Sequence, residues 1–508
     1  MNLIEVMIRS KEQNPDKVFL KMDRKKMTFK NFYENVSDLA HGLKELGIKE
    51  NDRVAILLNN SMEFIVSYFA ILSIGSIVVP LNTFLCQDEI IFILNDCMAK
   101  VLITSSDFGN VLKNFNFNKV PSIENIISVD NLTGVKNINF DTLLKKEKIN
   151  IPSIDVDEEK VCVLIYTSGT TGFPKGAMLT HKNLISNVRS CIKAIHIKEN
   201  DKFIIFLPMF HSFNFTVCVL IPLFCQCRLT IIKSIQPFSK ILKTILFDRT
   251  TIFIAIPQVY NVLSRQKIPR WMLWLNPIRV CVSGAAPLAG EVLKRFEEKF
   301  KTPLVEGYGL SEASPVVSVN PLDGIRKQGS VGPAIPGVEI KIVDENGNPL
   351  KCGEIGEIIV KGPNVMKGYY NREVETNMTI KNGWLYTGDV GKMDEDGYLY
   401  IIDRKKDLII VNGMNLYPRE VEEVLYKHPA VQDAVVVGKK DAAHGEIPIG
   451  VVLLKDGASA TEQELRKFCK ERLSNFKIPH RFEFWKEIPM TGSGKILKRE
   501  VKKIVNER

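Results

Sequence analysis

The chain lacks several features that would have defined its class at once. Its ten cysteines include no Cys-x-x-Cys pair; the one close couple is Cys225-Gln-Cys227, and only seven histidines are available to complete a metal site. That excludes a zinc ribbon or a disulfide scaffold and leaves reduced thiols acting as small hydrophobes in a cytoplasmic protein. No apolar run approaches the ~20 residues needed to span a bilayer. The greasiest stretch, 203–232, is interrupted by Pro208, His211, Pro222, Gln226 and Arg228, and reads as buried core. The N-terminal MNLIEVMIRSKEQNPDK has an acid inside its short apolar run and no cleavage region, so it is not read as a signal peptide. Internal repeats, low-complexity tracts and Gly-aromatic RNA-binding signatures are also missing, and no nucleic-acid partner is expected.

What is present is a globular composition, 45% hydrophobic and 25% charged, over 508 residues, too long for one ordinary core. A net charge of +10 suits anionic partners such as nucleotides, coenzyme A or an acidic carrier. Residues 1–150 alternate helical and strand patterns. A helical spacing runs over Thr28–Leu46, and strands are expected at 53–58, 76–80 and 100–104, with a helix over 63–74. Residues 106–158 are polar and weakly patterned. Further buried strands are expected at 202–207, 228–233, 251–255 and 279–283, then an amphipathic helix over Leu288–Phe300. This βα alternation predicts helix-covered, mostly parallel sheets.

From about Gly329 the pattern changes to short β runs with turns at Asn346-Gly347, Asn382-Gly383 and Asp396-Gly397. These predict a small antiparallel β subdomain. Beyond the charged 403–407 stretch a second α/β unit follows, with a helix starting at Pro418 and a capping box at Thr461–Glu464. The expected organisation is therefore 1–402, a hinge at 403–406, and a small mobile α/β domain over 407–508.

The stretch with the clearest chemistry is Tyr166–Gly176, YTSGTTGFPKG. It follows the apolar 161–165 and precedes AMLTHKNLISNVRS, read as a helix with Thr180 as N-cap. Small residues that turn N–H groups inward, hydroxyl donors and one lysine make a phosphate cradle. The Gly-Lys-Ser/Thr ending of nucleotide-triphosphatase loops is absent, since Pro174-Lys175-Gly176 stands there. An ordinary Gly/Ser/Thr surface loop is the alternative on composition alone. A second pointer is Ser283–Pro287, a Gly-Ala-Ala at a strand end beside a helix start, where α/β sheets bind ligands.

Six further motifs follow in order: LPMFHSFNF (207–215), SGAAPL (283–288), EGYGLSEASP (306–315), YTGD (386–389), IDRKKDLIIVNGMNLYPREVE (402–422) and TGSGK (491–495). With YTSGTTGFPKG they make seven in register, and the chain resembles the adenylate-forming superfamily of acyl-CoA synthetases, peptide-synthetase adenylation domains and luciferases. The wording around 210–217 and 283–288 most resembles bacterial long- or medium-chain fatty-acid–CoA ligases. The resemblance implies attack of a carboxylate on the α-phosphate of ATP to give an acyl-adenylate and pyrophosphate, then displacement of AMP by a thiol.

It also implies roles. Thr167, Ser168, Gly169, Thr170, Thr171, Gly172 and Lys175 would hold the β- and γ-phosphates. Glu312, with Thr167, would take Mg²⁺ through hard oxygens. Tyr308 would stack on adenine in a wall built from Gly284, Ala285, Ala286, Glu306, Gly307, Gly309 and Ser311, where relatives often carry Thr for the serine. Asp389 would take the ribose hydroxyls and Arg404 the same sugar or the phosphates. Lys495 would bridge the substrate carboxylate and the α-phosphate. His211 either gates the substrate carboxylate or is a satisfied core histidine. Lys406 matches the hinge position, and Gly413 would line a coenzyme A channel.

An amino-acid-activating relative would carry an acid just after Phe210, where His211, Ser212 and Phe213 stand. An uncharged acid is therefore expected. The apolar 213–224 and the short Trp271–Leu275 suggest a greasy tunnel for a fatty acid, although Trp271–Leu275 could instead touch lipid or pack under a surface helix. Acyl carrier protein as acceptor and aryl acids as substrate are the alternatives on the same scaffold. A homodimer and a peripheral contact with the inner face of the membrane are compatible with the sequence. A luciferase-type oxygenase shares the adenylation residues. A non-enzymatic nucleotide binder would be expected to have lost Glu312, Asp389 or Lys495, and all three residues are present.

Overall fold

The computed structural model describes residues 1–113, 115–144, 157–168, 174–234, 238–412, 414–441, 445–490 and 496–507. Two eight-stranded sheets dominate. The first runs in the order 316–319, 304–309, 280–283, 252–255, 202–205, 228–231, 18–22 and 25–28. Its interior pairings are parallel and only its two end pairs are antiparallel. The second runs 368–369, 174–180, 161–168, 77–80, 53–56, 99–104, 125–128 and 138–139, parallel from 161–168 onward. Strands such as Ile77–Pro80, Ile252–Ala255 and Val280–Ser283 are buried at every position, as expected when helices cover both faces.

Helix Met62–Ser73 shows why the sheets are held together. All its residues but Glu63 are buried, so it is apolar all round and belongs inside the core. It starts where Ser61 accepts a hydrogen bond from Phe64 N–H. Phe32, Phe69 and Phe19 form an edge-on chain that ties it to helix Phe29–Glu45 and strand Val18–Met22. No helix of the described residues is long and apolar enough to cross a membrane.

The third sheet is wholly antiparallel: 339–343, 356–361, 384–393 and 380–381, with Leu399–Arg404 paired to Trp384–Met393. Asn382 and Gly383 both have positive φ, 52° and 78°, in the two-residue turn between Ile380–Lys381 and Trp384–Met393. A fourth, mixed sheet over 409–484 pairs Val431–Asp441 antiparallel and Arg481–Phe484 parallel to Gly445–Leu454. Helices Pro418–Tyr426, Glu462–Lys470 and Lys498–Glu507 cover it, and the capping box at Thr461 and Glu464 is formed.

Three local expectations differ from the fold. The residues before the Thr180 cap are not helical, because Pro174–Thr180 is a strand antiparallel to Val161–Ser168. The helix is His181–Ala194 alone. Within 106–158, Asn125–Ser128 extends the second sheet in parallel beside Ala99–Thr104, so part of that stretch belongs to the core architecture. Short strands among polar residues leave almost no periodicity to read. Finally, Trp271–Leu275 lines no tunnel: Trp271, Trp274 and Leu275 are 56%, 84% and 47% exposed.

Candidate active site

The root of the phosphate-loop motif is set by the hairpin of Val161–Ser168 and Pro174–Thr180, whose register puts Thr167 opposite Lys175. A third short strand, Gly368–Tyr369, pairs on the outer edge of this hairpin with Tyr369 opposite Ala177. That pairing carries Tyr369 to Glu312. The Glu312 carboxylate accepts hydrogen bonds from Thr167 Oγ1 at 3.1 Å and from the Tyr369 hydroxyl at 3.0 Å, both on Oε1. Lys175 Nζ lies 5.6 Å from the centre of the Tyr369 ring and 3.8 Å from Glu375 Oε1. Burial, then the neighbouring Glu312 charge, pushes the Tyr369 phenol up, so it stays a protonated donor.

A second focus lies on the third sheet. Asp389 and Arg404 are directly opposite each other in the ladder, and Arg404 Nε donates to Asp389 Oδ1 at 3.0 Å. The Tyr308 hydroxyl donates to Asp389 Oδ2 at 2.6 Å. Burial, then Asp389, raises the Tyr308 phenol well above its ordinary value. One carboxylate thus holds a cation and an aromatic ring, and with about four lone-pair positions it still has acceptor capacity for two more donors.

Beside these foci a cavity is lined by the polar His211, Ser212, Tyr308 and Ser311, by Gly284, Ala285, Gly307 and Gly309, and by the apolar Cys191, Ile195, Phe213, Val217, Ile254, Val282 and Val319. Ser212 and Ser311 hydroxyls are 2.9 Å apart across it. Two glycines are required by close approach. A Cβ at Gly284 would sit 2.8 Å from the Phe213 ring, and one at Gly309 would sit 2.1 Å from the Pro315 carbonyl oxygen. Ala285 has φ +67°, a left-handed conformation that costs a non-glycine residue about 1–2 kcal/mol. Such strain clusters at ligand sites. Val217 belongs to a π-helical turn, 216–220, inside the otherwise α-helical 212–224, and such turns also concentrate at functional sites.

Glu306 is not among the residues lining the cavity. Its carboxylate accepts the Leu288 N–H at 2.9 Å and thereby fixes the strand-to-helix turn that carries Gly284–Ala286. Burial, partly offset by the Leu288 N–H and the Arg419 charge, pushes this carboxyl up to about 7. The folded state therefore favours the protonated form. Its contribution is complete below the ordinary glutamate value of about 4.3 and is lost as pH rises through about 7. Glu306→Gln keeps the acceptor and removes the titration. The wild type is expected to lose on the order of 2–3 kcal/mol more stability than the variant between pH 4 and pH 8. Denaturant unfolding of both proteins at the two pH values checks this, and equal losses would contradict it.

Of the other expected site residues, Ser168 ends the first hairpin strand, Ala286 lies in the 284–287 turn beside the cavity, and Lys406 is exposed on the 3₁₀ turn Lys405–Asp407. Gly169, Thr170, Thr171, Gly172, Gly413 and Lys495 lie outside the described residues. The segment of Lys495 is flanked by an isolated antiparallel bridge between Met490 and Ile496. Sequence reasoning missed Tyr369, Asp96 and Arg372. Tyr166 donates to Asp96 Oδ2 and Arg372 Nη2 to Asp96 Oδ1, each at 2.6 Å, so Asp96 clamps the base of the hairpin to the segment after Tyr369. No local pattern marks these three, whose partners are 57 to 276 positions away.

For a cation, the donor set is one carboxylate and one hydroxyl. No group of three His, Cys, Asp or Glu among the described residues could hold an ion alone. That chemistry fits Mg²⁺, which keeps waters and takes substrate phosphates as its remaining ligands.

Paired sheets, a Thr- and Lys-bearing hairpin facing a carboxylate, and a Tyr–Asp–Arg cluster beside an apolar cavity define a nucleotide-dependent enzyme, and the chain belongs to the AMP-binding enzyme family. The model of that family matches residues 8–370, and the model of the AMP-binding enzyme C-terminal domain matches 420–495. The long-chain-fatty-acid–CoA ligase of Bacillus subtilis (strain 168) is 38% identical, over 98% of this chain and 94% of that protein. Among solved structures, ATP-bound MatB from Rhodopseudomonas palustris overlays with a TM-score of 0.91 at 29% identity, covering 100% of this chain and 99% of that one. The o-succinylbenzoate coenzyme A synthetase of Bacillus subtilis, in complex with ATP and magnesium ion, gives 0.85 at 31% identity, covering 98% and 99%.

Proposed function

We propose that the chain is an acid–thiol ligase that activates a fatty acid with ATP, releasing pyrophosphate, and transfers the acyl group from AMP to coenzyme A. The observation that carries this reading is the cavity itself, whose lining combines the polar Tyr308, Ser311 and His211 with the apolar Cys191, Ile195 and Val217. A carboxylate head and an alkyl tail match those two kinds of lining. The 38% identity to a long-chain-fatty-acid–CoA ligase supports the same class.

Roles for the residues follow from charge and position. Two anions must meet, so positive charge and orientation supply most of the rate. Thr167, Ser168 and Lys175 cradle the phosphates, together with the glycines and threonines at 169–172. Glu312 and Thr167 hold Mg²⁺, and that ion, when bound, supplies neutralisation of phosphate charge. Tyr308 stacks on adenine, Asp389 and Arg404 take the ribose, His211 stands at the carboxylate entrance, and Lys495 bridges the reacting anions. Transfer to the thiol then needs Lys495 withdrawn, by rotation of the 407–508 unit about Lys406. Asp403 lies at that joint, accepting the Arg419 N–H at 2.8 Å and lying 4.0 Å from Lys498 Nζ. Gly413 would line the thiol's channel.

The test is pyrophosphate release over a panel of acids, each with coenzyme A and with acyl carrier protein. Release with long-chain acids and coenzyme A is expected, and no release with any fatty acid would overturn the substrate reading. An aryl acid is the second reading, favoured by the o-succinylbenzoate enzyme's likeness over 98% of the chain. Val217→Phe tests whether the apolar lining holds an alkyl tail. Crowding that lining is expected to cut kcat/KM for a long-chain acid at least ~10-fold, the cost of displacing one or two methylenes. A short acid should lose less than ~2-fold, because two methylenes fewer need no displacement.

A further inference from the structure

The phosphate lysine, Lys175, has an anionic neighbour in the fold. Its Nζ lies 3.8 Å from Glu375 Oε1, with 11% of the lysine side chain and 31% of the glutamate side chain exposed. That separation exceeds the ~3.2 Å limit of a good hydrogen bond, so the contact is ionic and leaves the ammonium donors uncommitted to Glu375. Glu375 itself is firmly mounted. It belongs to the short helix Glu373–Thr379, which follows the outer hairpin strand Gly368–Tyr369. Thr376 Oγ1 accepts the Tyr369 N–H at 2.9 Å, and the Tyr370 N–H donates to the carbonyl of Gly176, next to Lys175, at 2.8 Å. Arg372 ties the same segment to Asp96. The backbone around Glu375 is thus fastened to the strand that carries Lys175, and the two charges are held within reach of each other.

We propose that Glu375 competes with the nucleotide's phosphates for Lys175, and so acts as a positioning residue that sets how tightly ATP and pyrophosphate are held. This role rests on the reading that Lys175 meets those phosphates. One ammonium cannot serve a carboxylate and a polyphosphate at full strength, because the two anions also repel each other. Drawing Lys175 onto phosphate therefore weakens its interaction with Glu375, and pyrophosphate leaves against a carboxylate placed to take the cation back. Holding a product tightly slows its release, so a counter-charge beside the binding lysine favours turnover over ATP affinity. The Tyr369 ring, 5.6 Å from the ammonium, is a second contact for Lys175. Being uncharged it does not repel phosphate, and it keeps the lysine in place when the Glu375 charge is removed. The size of the effect is bounded by what partly exposed ion pairs contribute, up to roughly a fivefold factor in an equilibrium constant.

The test is calorimetry of magnesium pyrophosphate on the full chain, with the KM for ATP measured alongside. Glu375→Gln is expected to bind pyrophosphate ~2–5-fold more tightly than the wild type and to lower the KM for ATP by the same factor. Glu375→Asp, still charged but one methylene shorter, should fall between the two. A merely structural role moves these quantities the other way, since a loosened hairpin weakens binding. In a Lys175→Gln background the Glu375→Gln change is expected to leave pyrophosphate affinity nearly unaltered, because the lysine it acts through is gone. Unchanged or weaker binding by Glu375→Gln in the lysine-bearing chain, or an equal gain in the Lys175→Gln background, overturns the proposal and leaves the proposed reaction standing. A wild type that binds no pyrophosphate overturns the reading of Lys175 and this role with it.

Discussion

Lys495→Ala is expected to lower acyl-adenylate formation at least ~10²-fold while thioester formation from supplied acyl-adenylate stays near wild type. The reasoning is electrostatic. A carboxylate must approach an α-phosphate of the same sign, and a fixed ammonium between them lowers that barrier. Unit charges at 4 Å in a site of effective dielectric about 20 interact by about 4 kcal/mol, and losing even most of that gives the stated factor. The second half-reaction has no such encounter, since the thiol attacks a neutral acyl carbonyl and AMP leaves. Pyrophosphate exchange measures the first step, and coenzyme A consumption with preformed adenylate measures the second. Equal losses in both would remove the bridging role. The pinning of both flanks, Met490 to Ile496 and Leu497 N–H to Pro489 O at 2.9 Å, gives the substitution a local frame in which to act on charge.

The site was partly legible in the sequence, and the division has a physical cause. Thr167, Glu312, Tyr308, Asp389 and Arg404 sit in short motifs whose glycines and hydroxyls reveal close backbone approach. The fold brings them into two hydrogen-bonded groups although they span 238 positions (167 to 404). Tyr369, Asp96 and Arg372 were not legible, because what defines them is strand pairing across the edge of the hairpin. The alternating parallel architecture was readable from all-buried strands such as Ile252–Ala255, which need no periodicity. By contrast, the strand over Ala177–Leu179 was misread, since three residues before a helix cap carry no signal separating strand from helix, whereas the Thr180 cap is formed as expected. Trp271–Leu275 misled in another way. Its composition is that of a core segment, and only the packing of Leu273 inward shows that both indoles must face out.

The second large effect is expected at Asp389, and its pattern across the half-reactions should differ from that at Lys495. Asp389 is 5% exposed and already accepts from Tyr308 and Arg404, leaving lone pairs on both oxygens for the two ribose hydroxyls. Hydrogen bonds to a charged group contribute about 1.5–3 kcal/mol each, so Asp389→Ala should cost ~10²–10³-fold in kcat/KM for ATP. The same ribose is present in ATP and in the acyl-adenylate. The variant should therefore be impaired in both half-reactions, through KM more than kcat, whereas Lys495→Ala is impaired in one. Asp389→Asn keeps the shape and one acceptor oxygen and should recover part of the loss, with Arg404 left without its charge partner. Loss confined to adenylation in Asp389→Ala would place this carboxylate on the phosphates instead of the sugar. Unimpaired binding of AMP measured by calorimetry would remove it from the nucleotide site altogether.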